Sequence, residues 1–248
     1  MNKFLGWRTP TNIAECYVNS VAEMLSSEEN FNQFRGVNKN YGRILEHLTQ
    51  NDGQIYGDYI IKNYWEILQY LSFFKENDII GNPILFDYNV FGKINPTTLR
   101  YIKFVGDIKK IFGNLNGLDL IEIGGGYGGL IKILTTIYDF NSIKLFDLPN
   151  PLQLQKKYLG KFNINVETYT YEDDFNINKN SIIISNYAWC ECDRVTRDLY
   201  LEKIINKVKY TYMVVYGVDV DEELMSLDGE KTLTKDVLNA CQVFSLKK

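Results

Sequence analysis

One histidine, five prolines and four cysteines are spread over 248 residues, and these scarcities narrow the possibilities. Four cysteines (Cys16, Cys190, Cys192 and Cys241) in a chain of this length do not make a disulfide framework, so a reducing, cytoplasmic setting is expected. Cys190-Glu191-Cys192 has neither a second close cysteine pair nor a histidine beside it, which leaves a tetrahedral zinc site short of ligands; no metal is expected. No apolar run reaches the ~18 residues that span a bilayer. The first residues, MNKFLGWRTPTN, lack the apolar core and small-residue cleavage site of a signal peptide. An excess of cationic charge is also missing. The net charge is −4, whereas binding along a nucleic-acid backbone needs clustered Lys and Arg. Neither a membrane nor a nucleic acid is an expected partner, and homo-oligomerisation is compatible with the composition.

What is present is ordinary globular material: 45% apolar and 23% charged residues, so disorder is not the default. There are no internal repeats and no low-complexity linker. The first ninety or so residues read mainly as helices. Ile44, Leu45 and Leu48 form a short apolar stripe, and Ile60, Ile61, Tyr64, Ile67, Leu68 and Leu71 continue one at helical spacing. Turn chemistry is dense from Asn77-Asp78 to Gly81-Asn82-Pro83. Asn95-Pro96 reads as a cap and first turn of a helix whose apolar face carries Tyr101, Phe104, Val105, Ile108, Ile111 and Phe112.

After Gly117 the pattern changes. Leu118–Ile123, Ser142–Phe146, Ile164–Tyr169, Ser181–Ser185 and Tyr210–Tyr216 read as strands. Helical stretches separate most of them, one restarting at Asn150-Pro151 and another marked by Leu201, Ile204, Ile205 and Val208. Strands alternating with helices predict a parallel sheet covered on both faces. The expected organisation is therefore α/β: a helical N-terminal region over residues 1–95, followed by a Rossmann-like domain over 96–248.

Five glycines stand in the six residues after the first of these strands, in IEIGGGYGG (Ile121–Gly129). In a doubly wound sheet the ligand lies outside the carboxyl ends of the strands, and a glycine turn admits it to unpaired N–H groups at a helix start. Gly124, Gly126 and Gly129 satisfy G-x-G-x-x-G, with Asp147 at the end of the next strand. That pattern alone serves both dinucleotide and nucleoside cofactors. Glu122, two residues ahead of the glycines, argues against the first. A carboxylate there repels a pyrophosphate and suits a cofactor carrying an ammonium and a sulfonium.

The pattern E-x-G-x-G-x-G (Glu122, Gly124, Gly126, Gly128) resembles the first motif of class I S-adenosylmethionine-dependent methyltransferases. Further segments resemble one narrower family, the sugar O-methyltransferases of polysaccharide and glycan biosynthesis. They are NDIIGNP (Asn77–Pro83), NPTTLRYIKFVGDIKKIFG (Asn95–Gly113), IEIGGGYGGLIKIL (Ile121–Leu134), FDLPNPLQLQKKYL (Phe146–Leu159) and ISNYAWCEC (Ile184–Cys192), in the family's order. The resemblance implies methyl transfer from S-adenosylmethionine, with S-adenosylhomocysteine as product, to a hydroxyl of a sugar or nucleotide sugar. It implies a cofactor site built from Glu122, Gly124, Gly125, Gly126, Tyr127, Gly128, Asp147, Leu148 and Asn186, with Asp147 on the ribose hydroxyls. An acid for the adenine amino group is expected from Glu172, Asp173 or Asp174, with Asp173 as the choice. Trp189-Cys190-Glu191 departs from the family's aromatic-Ser-Glu at the serine. The stretch after the fifth strand is brief, so the last two strands of such a sheet are expected to be short, with Gln242–Leu246 one of them.

Methyl transfer to a hydroxyl needs an aligned acceptor and a base for its proton. Glu191, just past the fourth strand, is the first candidate base, and His47, on the helix around Ile44–Leu48, is the second. Tyr187 and Arg100 are candidates for binding the acceptor, Arg100 through a phosphate of an activated sugar. Two other readings use the same residues. An NAD(P)-dependent oxidoreductase needs the same loop but leaves Glu122 unexplained and has no Tyr-x-x-x-Lys proton relay. A non-catalytic methyltransferase-like module would keep the fold to bind a partner.

Overall fold

The structure is a computed structural model that describes residues 11–36, 40–238 and 241–248. The N-terminal part is helical: α1 (Thr11–Leu25), the single turn α2 (Glu28–Phe31), α3 (Asn40–Leu45) and α4 (Gln50–Asn63). Thr49 caps α4 in a reciprocal box with Asp52, which orients the chain entering that helix. The side chain of Ile44 lies outside the described residues.

The apolar stripe from Ile60 to Leu71 does not form one helix. The α-helix ends at Asn63 and continues as a 3-10 turn over Trp65–Tyr70, then a short α5 (Leu71–Phe74). Tyr64 explains the break. Its backbone leaves helical geometry (φ −142°), its ring lies against Gly106, and its hydroxyl donates to Asp107 Oδ1 at 2.5 Å. A Cβ on Gly106 would stand 2.2 Å from that ring, so the glycine admits the crossing of α4 over the next helix. The stretch before residue 96 also holds a hairpin not expected from its turn-rich sequence, β1 (Phe86–Tyr88) paired with β2 (Gly92–Ile94).

Asn95 and Pro96 open α6 (Pro96–Phe112), as expected. Asn95 is almost fully buried and ties three segments together. Its side chain accepts from Thr97 N at 2.7 Å and donates to Ile84 O at 2.9 Å, while its own N–H donates to Asp78 Oδ2 at 2.9 Å. Asn95→Ala removes the cap and strands Ile84 O. It is expected to cost about 2 kcal/mol, read as a lower urea midpoint at unchanged m-value.

Beyond Gly117 the chain alternates: β3 (Asp119–Ile123), α7 (Gly129–Ile137), β4 (Ser142–Phe146), α8 (Pro149–Gly160), β5 (Glu167–Tyr169), β6 (Ser181–Asn186), α9 (Ala188–Glu191), α10 (Arg194–Tyr200), β7 (Tyr210–Val215), α11 (Val218–Met225), β8 (Glu230–Lys235) and β9 (Gln242–Lys247). The sheet order is β5-β4-β3-β6-β7-β9-β8; β3 to β7 run parallel, and β9 is antiparallel to both neighbours. This is the Rossmann-like, doubly wound sheet expected, with strand order reversing between β3 and β6.

Side chains alternate cleanly across it. Leu120, Ile182, Ile184, Tyr212 and Val214 face one apolar layer, shared with α6, α7, α8 and the N-terminal helices. Ile121, Ile123, Ile183, Met213 and Val215 face the other, with Trp189, Tyr200, Ile204 and Phe244. The last two strands are not short. At six residues each they match β6 and β7, because β8 runs the full length of β9. Among the described residues no helix is long and apolar enough to cross a membrane.

Candidate functional site

The carboxyl ends of β3, β4 and β6 converge where the strand order reverses, and a cavity of about 400 Å³ opens there. Its floor is the glycine loop. Gly124, Gly126 and Gly128 take φ of +72°, +61° and +94°, a region that disfavours any Cβ. The chain's own side chains add a second reason. A Cβ on Gly124 would meet Ala188 Cβ at 2.0 Å, one on Gly125 would meet Glu122 Oε2 at 2.5 Å, and one on Gly126 would meet Leu45 at 3.0 Å. Ser185, at the end of β6, locks this arrangement: its hydroxyl donates to Ile123 O and accepts from Trp189 N, both at 3.1 Å.

Three carboxylates cluster around the loop. Glu122 lies beneath it, 3% exposed, and its Oε2 has no hydrogen-bond partner. Burial, with the Asp147 charge second, pushes the Glu122 carboxyl up to about 8. Asp147 accepts from Leu148 N and from Gln155 Nε2, each at 2.7 Å, yet burial still raises it to about 7. Glu191 is raised by burial to about 6. An excess of buried acid with little compensating cation is costly unless something positive arrives.

Asp147 and Glu191 line the main cavity and also a second, narrow slot of about 40 Å³. Gly124 and Ala188 line the slot too, and Ile123, Phe146, Leu148, Tyr171, Cys192, Thr196 and Tyr200 complete its walls. Asn186, whose Oδ1 is buried without a partner, lines the main cavity with Tyr187. Tyr187 holds φ +70° and ψ −37°, a strained conformation for a bulky residue. Its N–H donates to Val214 O and its carbonyl accepts from Cys190 N, which hold it there.

The opposite end of the cavity draws on distant parts of the chain. Arg100 of α6 is buried, its Nε lacks a partner, and its guanidinium lies 5.5 Å from the Tyr187 ring. Asp236, between β8 and β9, also lines the cavity. It accepts from Tyr56 OH at 3.0 Å and from Lys103 Nζ at 2.6 Å. Lys103 also pairs with Asp107 at 2.8 Å, and Asp107 accepts from Tyr64 and Tyr212 hydroxyls at 2.5 and 2.7 Å. Tyr17, from α1, closes the cofactor-facing side.

The sequence-expected residues divide by location. Gly124, Gly126, Asp147, Asn186, Tyr187, Glu191, Arg100 and His47 all line the main cavity, and Leu148 lines the slot. His47 is exposed and sits past the end of α3 rather than on a helix, because the capping box of α4 begins two residues later. Glu122, Gly125, Tyr127 and Gly128 line neither cavity, Glu122 lying beneath the loop. Tyr127 is the one engaged elsewhere. It is fully buried, with its hydroxyl near Asn77 and the Arg35 guanidinium 4.7 Å from its ring. Asp173 is exposed and closes a turn, accepting from Thr170 N at 2.6 Å and Thr170 Oγ1 at 2.9 Å. Sequence reading did not single out Tyr17 or Asp236. Only recognition of KTLTK as a strand would have put Asp236 at the mouth of the sheet.

No protein-family model matches the chain. No curated protein matches it in sequence. Solved structures are similar to parts of the chain. An S-adenosylmethionine-dependent methyltransferase from Aquifex aeolicus is 14% identical, covering 57% of this chain and 87% of its own, with a TM-score of 0.45. TrmK from M. capricolum, in complex with S-adenosyl-homocysteine, is 12% identical over 58% of this chain and 67% of its own, at 0.42. An rRNA methylase from Streptococcus thermophilus is 16% identical over 53% and 87%, at 0.43.

Proposed function

We propose that this chain is an S-adenosylmethionine-dependent O-methyltransferase acting on a hydroxyl of a sugar or nucleotide sugar. The observation that carries the cofactor half is Glu122. A buried carboxylate without a partner, under a glycine loop and beside two further raised acids, suits a cationic ligand and opposes a pyrophosphate. S-adenosylmethionine carries an ammonium and a sulfonium, and when bound it supplies the methyl group.

The chain's own residues would hold it along one line. Gly124 and Gly126 take the amino-acid end with the Glu122 charge beneath them, Asp147 takes the ribose, and the slot between Leu148, Tyr171 and Tyr200 takes the flat base. The sugar half rests on the sequence resemblance and on the character of the far end. Tyr56 and Tyr187 offer ring faces, Asp236 accepts hydrogen bonds from hydroxyls, and Arg100 suits a phosphate of an activated sugar. Residues before Pro96 form part of that wall through Leu45, His47, Leu48 and Tyr56. In this reading they shape the acceptor pocket, while 96–248 holds the cofactor.

Titration calorimetry tests the cofactor half. S-adenosylmethionine and S-adenosylhomocysteine are both expected to bind one site per chain, and NAD is not. NAD binding with neither adenosyl compound bound would sink the proposal.

A further inference from the structure

Two carboxylates besides Asp147 reach the main cavity, Glu191 and Asp236, and they stand in different company. Glu191 also lines the narrow slot, next to Asp147, and its charge is felt by Asp147, Tyr17 and Cys192. That is the cofactor side. Asp236 lines the main cavity only, and its charge is felt by Tyr56, Tyr187 and Cys241. That is the acceptor side.

Asp236 shares its ion-pair partner with a second carboxylate. Lys103 bridges Asp236 and Asp107, at 2.6 and 2.8 Å, so one cation serves two carboxylates and the buried trio carries a net negative charge. Of the two carboxylates, Asp107 is not the one placed to meet a substrate. Asp107 lies away from the cavity and already accepts from two tyrosine hydroxyls and Lys103, so its charge is well satisfied. Asp236 has fewer donors, faces the cavity, and keeps free lone pairs for a substrate hydroxyl beside the one that Tyr56 fills.

We infer that Asp236 is the general base for the acceptor hydroxyl, that Tyr56 positions it, and that Glu191 serves the cofactor instead. The inference rests on the O-methyltransferase reading. The hydroxyl proton passes to an Asp236 oxygen as the acceptor oxygen bonds to the methyl carbon. The carbon–sulfur bond breaks with its electron pair left on sulfur, so the sulfonium becomes a neutral thioether and Asp236 returns the proton to solvent.

The test compares wild type, Asp236→Asn, Glu191→Gln and Tyr56→Phe. Each is assayed with labelled S-adenosylmethionine against a panel of nucleotide sugars, read by mass spectrometry. Calorimetry measures the affinity of each for S-adenosylhomocysteine, and then for the best nucleotide sugar in its presence. Asp236→Asn is expected to lose turnover by roughly 10²–10⁴-fold while both affinities stay within about threefold. Glu191→Gln is expected to weaken S-adenosylhomocysteine by about tenfold.

Should Asp236→Asn not fold, Tyr56→Phe decides, since it removes one hydrogen bond and no charge. A fall in kcat of about tenfold at unchanged KM supports the inference, and an unchanged kcat overturns it. Asp236→Asn turning over within about threefold of wild type also overturns it. So does Glu191→Gln losing turnover with its cofactor affinity intact. A wild type that binds S-adenosylhomocysteine but methylates no member of the panel overturns the sugar reading, and the Asp236 assignment with it.

Discussion

Glu122→Gln is expected to stabilise the ligand-free protein at pH 8, leave it unchanged at pH 5, and weaken its hold on S-adenosylmethionine. Unfolded, Glu122 titrates near the ordinary 4.5; folded, burial and Asp147 hold it up to about 8. Asp147 follows the same course up to about 7. A raised carboxyl binds its proton more tightly in the folded state. Its contribution to stability is therefore full below about pH 4.5 and is lost as the pH climbs through the folded value. Wild type should melt progressively lower between pH 5 and pH 8.5, as buried charge appears without a partner. Glutamine mimics the protonated acid and removes the Glu122 share of that slope, leaving the share of Asp147. The gain at pH 8 is about 2–4 kcal/mol, since each tenfold in proton affinity is worth ~1.4 kcal/mol before relaxation and water penetration reduce it.

Binding should run the other way. A cationic cofactor needs the ionised carboxylate, so its affinity rises from pH 6 to pH 8, by up to about tenfold per pH unit for each proton released, and levels off above that range. Calorimetry in two buffers of unlike ionisation enthalpy reads the proton release directly. S-adenosylhomocysteine, which keeps the ammonium but not the sulfonium, should show a shallower dependence. Glu122→Gln should weaken S-adenosylmethionine at pH 8 by about 10–100-fold and flatten the pH profile. A wild-type affinity that does not vary with pH, with no proton released, would remove Glu122 from the cofactor site.

Sequence carried the half of this site that is local along the chain. Leu118–Ile123 is an apolar run closed by turn residues, and both faces of β3 are buried, so the run itself marks the strand. In Ser142–Phe146, Ile143, Leu145 and Phe146 are buried while Ser142 and Lys144 are half-buried. The glycines and Asp147 follow directly from those strand ends. The acceptor half is assembled from afar. Asp236 meets Tyr56 across 180 positions of sequence and Lys103 across 133, and no spacing rule joins them.

β8 was hidden for a physical reason. EKTLTK sits at the sheet edge, pairs on one side only, and alternates exposed with half-buried side chains, so it lacks the apolar signal of the central strands. Tyr64 was misread for a related reason. Its helical spacing is genuine, but a single close contact with Gly106 overrides local preference. Asp173 and Tyr127 show the limit of motif reasoning: each lies in or beside a recognised segment, yet its side chain is engaged elsewhere, in a turn and in the core.

The glycine loop leads to the second large effect. Gly124→Ala is expected to destabilise the protein by about 2–5 kcal/mol and to weaken S-adenosylhomocysteine by about 100-fold. The left-handed backbone at φ +72° accounts for about 1–2 kcal/mol of that, and forcing a methyl group to 2.0 Å from Ala188 Cβ supplies the remainder. Relief would push α9 away from the loop, carrying Glu191 and the end of β6 with it, which is why binding suffers along with stability. The two contributions can be separated. Ala188→Gly alone should cost about 0.5–1 kcal/mol, the ordinary helix penalty. Added to Gly124→Ala, it should restore about 1–3 kcal/mol and return affinity to within about tenfold of wild type, leaving only the backbone strain. If the double variant is no better than Gly124→Ala, contact with Ala188 is not what excludes a side chain at this position. The requirement for glycine would then lie in the backbone angle and in the ligand that approaches it.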